Sequence, residues 1–241
     1  MFPIRDHNPS TRTPWVVRGL ILLNLLIYVL TAEWGGRMIG LWQWGALYPD
    51  AVSHGVYLHG LFTHMFLHAG IMHIAGNMLF LWVFGDNLED QLGHLGFLIF
   101  YLLGGLAAAA SQIAGDPSSG VPMVGASGAI AAVMGGYLLL FPKARVDILF
   151  IFVIVYKIFT IRAWIVLGFW FAVQLLNSLG GSADGVAYWA HAGGFLAGVV
   201  LMVPHFLRLG GPLFWSEHGG LPPNPSIDYV ATRVPVVKRR R

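Results

Sequence analysis

Gly125-Ala-Ser127-Gly128-Ala-Ile-Ala-Ala132-Val-Met-Gly135-Gly-Tyr-Leu-Leu-Leu-Phe141 opens on a serine between small residues and then runs apolar without a charge. The turn-forming stretch Asp116-Pro-Ser-Ser-Gly-Val-Pro122 precedes it, so a helix is expected to begin at Ser127. A serine there sits at a positive helix end, where an anion is favoured by about 0.3–1 kcal/mol at exposed sites. About 15 residues fall short of the roughly 20 that cross a ~30 Å hydrocarbon core. The helix is therefore expected to start below the membrane surface, in a recess reached by water. A second stretch, Trp189-Ala-His191-Ala-Gly-Gly194-Phe-Leu-Ala-Gly198, opens an apolar run to residue 207. His191, Gly194 and Gly198 share one helix face, as do Gly128, Ala132 and Gly135. Small-residue faces of this spacing let membrane helices approach closely. Taken alone, Gly-Ala-Ser-Gly reads more simply as an N-cap serine between packing glycines. An ionisable ring at the seam favours a nucleophile and its general base, Ser127 and His191.

The composition supports a membrane setting for both runs. Of 241 residues, 56% are apolar and 10% charged, against roughly 25% charged in soluble domains. The mean hydropathy is +0.68. Lack of cysteine excludes disulfides, thiolate catalysis and Cys-based metal sites. Apolar windows fall at 15–31, 68–85, 95–114, 127–141, 163–179 and 187–207, an all-α, polytopic bundle of six spans with a short fourth. The first is expected to be a retained span rather than a signal peptide. Residues 148–156 are also apolar but are closed by Lys157 and Arg162. They are expected to form an interfacial or re-entrant loop, with a seventh span as the alternative. Of the fourteen Lys and Arg, only Arg37 falls on the side opposite both termini. The positive-inside rule then makes both termini cytoplasmic. The chain divides into a cytoplasmic tail 1–14, a membrane domain 15–207, and a disordered basic tail 208–241.

On the second span His73 and Asn77 stand at i and i+4, on one face. An imidazole N–H and an amide suit an oxyanion hole for acyl transfer; an interhelical hydrogen bond is the alternative. His64 and His68 have the same spacing, and a metal pair completed by His59 or His73 is the rival to a structural role. No His-Glu-xx-His is present. Glu89 is expected to be a structural hydrogen-bond acceptor, and Asp184, seven residues before His191, is too loosely placed for a triad.

Together these residues resemble the rhomboid family of intramembrane serine proteases, from about Thr13 to His205. The resemblance rests on Thr63-His64-Met-Phe-Leu-His68, His73-Ile-Ala-Gly-Asn77-Met-Leu-Phe80, Phe84-Gly-Asp-Asn-Leu-Glu89-Asp90, Gly125-Ala-Ser127-Gly128 and Trp189-Ala-His191 to Gly198. It implies a rhomboid bundle, a serine endopeptidase with Ser127 as nucleophile and His191 as base, and no cofactor or metal. It also implies an oxyanion hole of His73, Asn77 and the Ser127 backbone N–H. Transmembrane proteins cut near the outer end of their helices would be the substrates, approaching past the fifth span, with the lipid bilayer and no nucleic acid as the other partners. A prokaryotic plasma membrane is the expected location. Two positions depart from relatives: His59-Gly60 stands where some carry Trp-Arg, and Ala131 where some carry a tyrosine under the catalytic histidine. A catalytically silent, client-binding rhomboid-like protein is the alternative function. A small transporter or haem-binding protein using the histidines is the more distant one.

Overall fold

The computed structural model describes residues 2–31, 39–152, 155–180 and 185–223. The chain begins with β1 (Phe2–Asp6) and α1 (Trp15–Thr31). Three short helices follow, α2 (Ile39–Gly45), α3 (Pro49–Ser53) and α4 (Gly60–Thr63), then a 3-10 turn at His64–Phe66. Next come α5 (Ile71–Gly115) and α6 (Ser127–Leu140), the strands β2 (Arg145–Phe152) and β3 (Val155–Arg162), and the helices α7 (Ala163–Gly180), α8 (Tyr188–Arg208) and α9 (Pro212–His218).

The helices α5, α7 and α8 are long and apolar enough to cross a membrane, and α1 and α6 are shorter apolar helices. The chain is a multi-pass helical membrane protein. Within α5 the backbone leaves helical geometry at Gly93, with φ at 70°, a value that favours glycine. There the helix doubles back. A Cβ on Gly85 would lie 3.5 Å from the Phe97 ring, and Gly105 packs against Met65, just ahead of the first half. The two halves contain the apolar windows 68–85 and 95–114. The remaining windows coincide with α1, α6, α7 and α8.

Helix α6 is the central element. Eleven of its fourteen residues are buried, consistent with a helix that is apolar on every side. It meets α8 along the seam that the small residues define. A side chain on Gly194 would collide with the Gly128 carbonyl, and one on Gly198 with the Ala132 carbonyl. Helices in lipid associate through such close packing, since burial of apolar surface gains little there. Glu89 sits at the opposite end from Ser127 and accepts from the backbone N–H groups of Val16 (2.9 Å) and Val17 (2.8 Å), capping α1. His94 also bonds to it.

Three regions depart from the sequence-based expectation. Residues 148–152 and 155–156 lie in strands rather than in a re-entrant loop or a span: β2 and β3 pair antiparallel from Arg145↔Arg162 to Phe152↔Val155. The expected polar tail supplies β1, which pairs with the other edge of β2 in the order β1-β2-β3. The run Val-Asp-Ile-Leu-Phe-Ile-Phe is rich in β-branched and aromatic residues that suit a pleated surface. Val146 and Ile148 are buried in the bundle's core, and Asp147 between them points to the other face. There it accepts from Arg5 Nε (2.7 Å), His7 Nε2 (3.0 Å) and Thr160 Oγ1 (2.6 Å). Burial alone would raise the Asp147 carboxyl, but the bonds from Thr160, His7 and Arg5 outweigh it and hold it below the ordinary value. Finally, the expected disorder does not begin at 208. In α9, Phe214 is buried and Trp215 Nε1 donates to the Leu139 carbonyl (3.0 Å). The rest of that tail, 224–241, lies outside the described residues, as do Arg37 and Asp184.

Candidate active site

Ser127 is the first residue of α6. The segment leading to it is held on both sides: Met123 and Leu47 exchange backbone hydrogen bonds (2.7 and 3.0 Å), and the Gly125 N–H donates to the His64 carbonyl (2.9 Å). Gly125 has φ at 128°, and a Cβ there would lie 2.7 Å from His73 Nε2. Both its backbone conformation and the space require glycine.

His191 lies in the first turn of α8, anchored by the Ala190 N–H bonding to Gln112 Oε1 on α5 (3.2 Å). The seam between α6 and α8 brings the two side chains together, with Ser127 Oγ 2.7 Å from His191 Nε2. This is hydrogen-bond distance. The other ring nitrogen, Nδ1, lies 2.7 Å from Gln174 Oε1 on α7. Because a carbonyl oxygen only accepts, Nδ1 carries the proton and donates it, leaving the Nε2 lone pair facing the serine hydroxyl. Trp170 stands one turn before Gln174 and covers the imidazole, with ring centroids 5.7 Å apart. Tyr188 meets the ring edge-on at 6.3 Å. Ala131, one turn after Ser127, is fully buried in the core.

His73 and Asn77 line the same cavity as Ser127 and His191, a space of about 450 Å³. The Ala69 N–H points at His73 Nδ1 (3.4 Å), which makes Nδ1 the acceptor and turns an Nε2–H toward Gly125. Asn77 is buried, and its Nδ2 has no hydrogen-bond partner among the described residues. A buried amide donor left unsatisfied costs free energy unless it has a use.

Two of the other histidines considered as metal ligands, His64 and His59, are hydrogen-bonded within the segment ahead of α5. His64 Nδ1 donates to the Gly60 carbonyl (2.8 Å), and burial lowers its pKa to about 4. His59 stacks on Trp44 (4.2 Å, 18°) and bonds through Nε2 to the Trp44 carbonyl (2.6 Å). Gly60 packs against the Ala46 carbonyl, with no room for a side chain. The His59-Gly60 pair thus anchors this loop by stacking and close backbone contact. His68 is buried edge-to-face with His73, centroids 5.2 Å apart. Among the described residues no three metal-ligating groups converge.

Sequence reasoning missed Gln174 and Trp170. A signal was present: Gln174 is a polar residue in the middle of an apolar span, the criterion that singled out Ser127 and His191.

A multi-pass helical bundle with a hydrogen-bonded serine and histidine in one cavity defines the class. The family described as "Rhomboid domain" matches residues 56–208, and the chain belongs to the rhomboid family. It is 32% identical to "Rhomboid protease GluP" of Bacillus subtilis over 186 residues, covering 76% of this chain and 34% of that one. It is 29% identical to "Rhomboid protein 1, mitochondrial" of Saccharomyces cerevisiae over 184 residues, covering 68% and 48%. With "Rhomboid protease GlpG" of Salmonella newport it shares 28% identity over 122 residues, covering 50% and 41%. The matches thus span between a third and a half of these relatives' lengths.

Proposed function

We propose that this protein is an intramembrane serine endopeptidase that hydrolyses peptide bonds of transmembrane proteins through a Ser127–His191 dyad. The observation that carries the reading is the 2.7 Å contact of Ser127 Oγ with His191 Nε2 in a cavity also lined by His73 and Asn77.

The chemistry follows from these groups. A substrate helix unwinds locally and presents a carbonyl carbon to Ser127 Oγ. His191 Nε2 takes the hydroxyl proton as the C–O bond forms. The carbonyl oxygen becomes an oxyanion, for which Asn77 Nδ2, the His73 Nε2–H and the Ser127 backbone N–H at the start of α6 are the donors. His191 then protonates the departing amine as the C–N bond breaks, leaving an acyl-enzyme. A water deprotonated by His191 hydrolyses the ester and restores the serine.

The same proposal includes the topology. Six spans within residues 15–207 put both termini on the cytoplasmic side. The basic residues Arg5, Arg145, Lys157 and Arg162 gather on the sheet there, and the site lies toward the opposite face. At 1.5 Å per residue the fourteen residues of α6 extend about 21 Å. That is short of a ~30 Å core and suits a serine sunk below the surface within reach of water. The basic ends suit a prokaryotic plasma membrane.

The test is cleavage of a reporter transmembrane substrate by the protein in liposomes. Wild type should cut it, and folded Ser127→Ala and His191→Ala proteins should not. Equal cleavage by Ser127→Ala would overturn the assignment.

A further inference from the structure

A base that relies on one ring nitrogen needs the other to be fixed. If the His191 proton moved from Nδ1 to Nε2, the ring would present an N–H to the serine and lose its capacity to accept the proton. The 2.7 Å bond from Nδ1–H to Gln174 Oε1 opposes this, because with the amide oxygen facing the ring the Nδ1–H form alone gains a hydrogen bond there. Gln174 is only 8% exposed, so bulk water is a poor substitute acceptor. Trp170 and Gln174, one helical turn apart on α7, therefore hold the imidazole by its face and by its edge.

We propose that Gln174 is the positioning residue of a Ser127–His191–Gln174 relay, in which a neutral amide fixes the tautomer and direction of the base. The inference rests on the dyad reading above. A neutral acceptor fits a bilayer site, where a carboxylate would carry the cost of a desolvated charge. In return, the imidazolium formed in the transition state is stabilised only by a dipole. Gln174 is also one of just four buried residues in α7, with Ala163, Leu167 and Ser178. The orientation of the base thus depends on where α7 sits.

The relay makes a prediction that a merely structural glutamine does not. The titratable groups facing His191 among the described residues are Ser127 on α6, His73 on α5 and Tyr188 on its own helix, while Trp170 and Gln174 do not titrate. Gln174→Glu keeps an acceptor at Nδ1 and adds a charge that stabilises the imidazolium. Gln174→Leu removes the acceptor at similar volume.

The experiment measures kcat and KM across the pH range for the full chain in liposomes, with Ser127→Ala as the blank. Gln174→Leu should lower kcat by about 10- to 100-fold, less than the roughly 10,000-fold lost when a triad carboxylate is neutralised, with KM little changed. Gln174→Glu should recover most of the kcat at alkaline pH, with the acid limb of its profile displaced upward. A wild-type kcat in Gln174→Leu, or a Gln174→Glu profile superimposable on wild type, would overturn the proposal. If Gln174→Leu does not fold, the Gln174→Glu profile decides alone. Cleavage that survives Ser127→Ala would instead strike the dyad itself, so the two failures are distinct.

Discussion

Asn77→Ala separates the proposed oxyanion donor from a packing residue. Asn77 Nδ2 is buried and makes no hydrogen bond with the described residues, so truncation removes no such bond from the resting protein. The thermal midpoint in detergent should stay close to wild type. During acyl transfer the same nitrogen would meet the developing oxyanion, where one donor is worth about 100- to 1,000-fold in rate, or about 2.7–4 kcal/mol. The interaction exists only in the transition state, so kcat and kcat/KM should fall together while KM holds. Steady-state cleavage of the reporter substrate in liposomes, paired with a thermal unfolding curve, measures both quantities. A kcat near wild type would refute the oxyanion role. A large loss of stability with unchanged kcat would make Asn77 an interhelical tie instead.

Two further outcomes follow from the packing and from the sheet. Gly198→Val drives a branched side chain into the Ala132 backbone, which cannot give way as a side-chain tip would. It should cost about 3 kcal/mol, the upper end for overpacking, read as a lowered unfolding midpoint together with lost cleavage as α6 and α8 separate. At β1, burial lifts the Asp6 carboxyl from the ordinary 3.8 to about 8, against the hydrogen bond donated by the Tyr137 hydroxyl (2.6 Å) and with Asp86 nearby adding repulsion. Between these two values the folded protein holds a proton that the unfolded chain releases, so stability declines as pH rises through that window. Asp6→Asn should therefore raise the unfolding midpoint at pH about 8, with a smaller gain near pH 5; an equal effect at both would refute the shift.

The helical part of this architecture was legible because hydropathy and small-residue spacing report directly on it. The expected start of a helix at Ser127 coincides with α6, and the faces of Gly128, Ala132 and Gly194, Gly198 meet as spaced. The β2–β3 hairpin was not legible. Val, Ile and Phe raise hydropathy equally in a lipid-facing helix and in a strand, and the charges that ended the run pointed only to a boundary. Strand β1 was hidden for another reason, since its partner lies about 140 residues away and Asp147 is what receives Arg5 and His7. Within the site, Ser127, His191, His73 and Asn77 could be named because a polar group in an apolar span is conspicuous. Gln174 was equally conspicuous, but its use depends on α7 lying beside the first turn of α8, a tertiary contact that spacing does not encode.

The proposed reaction requires Ser127 to be a nucleophile activated by His191. Intact-protein and peptide mass spectrometry after treatment with a fluorophosphonate measures this directly. One adduct on Ser127 is predicted for the wild type, with none on Ser127→Ala and a strongly slowed reaction on His191→Ala. An unlabelled Ser127 in folded wild-type protein, or labelling that is indifferent to His191, would contradict it.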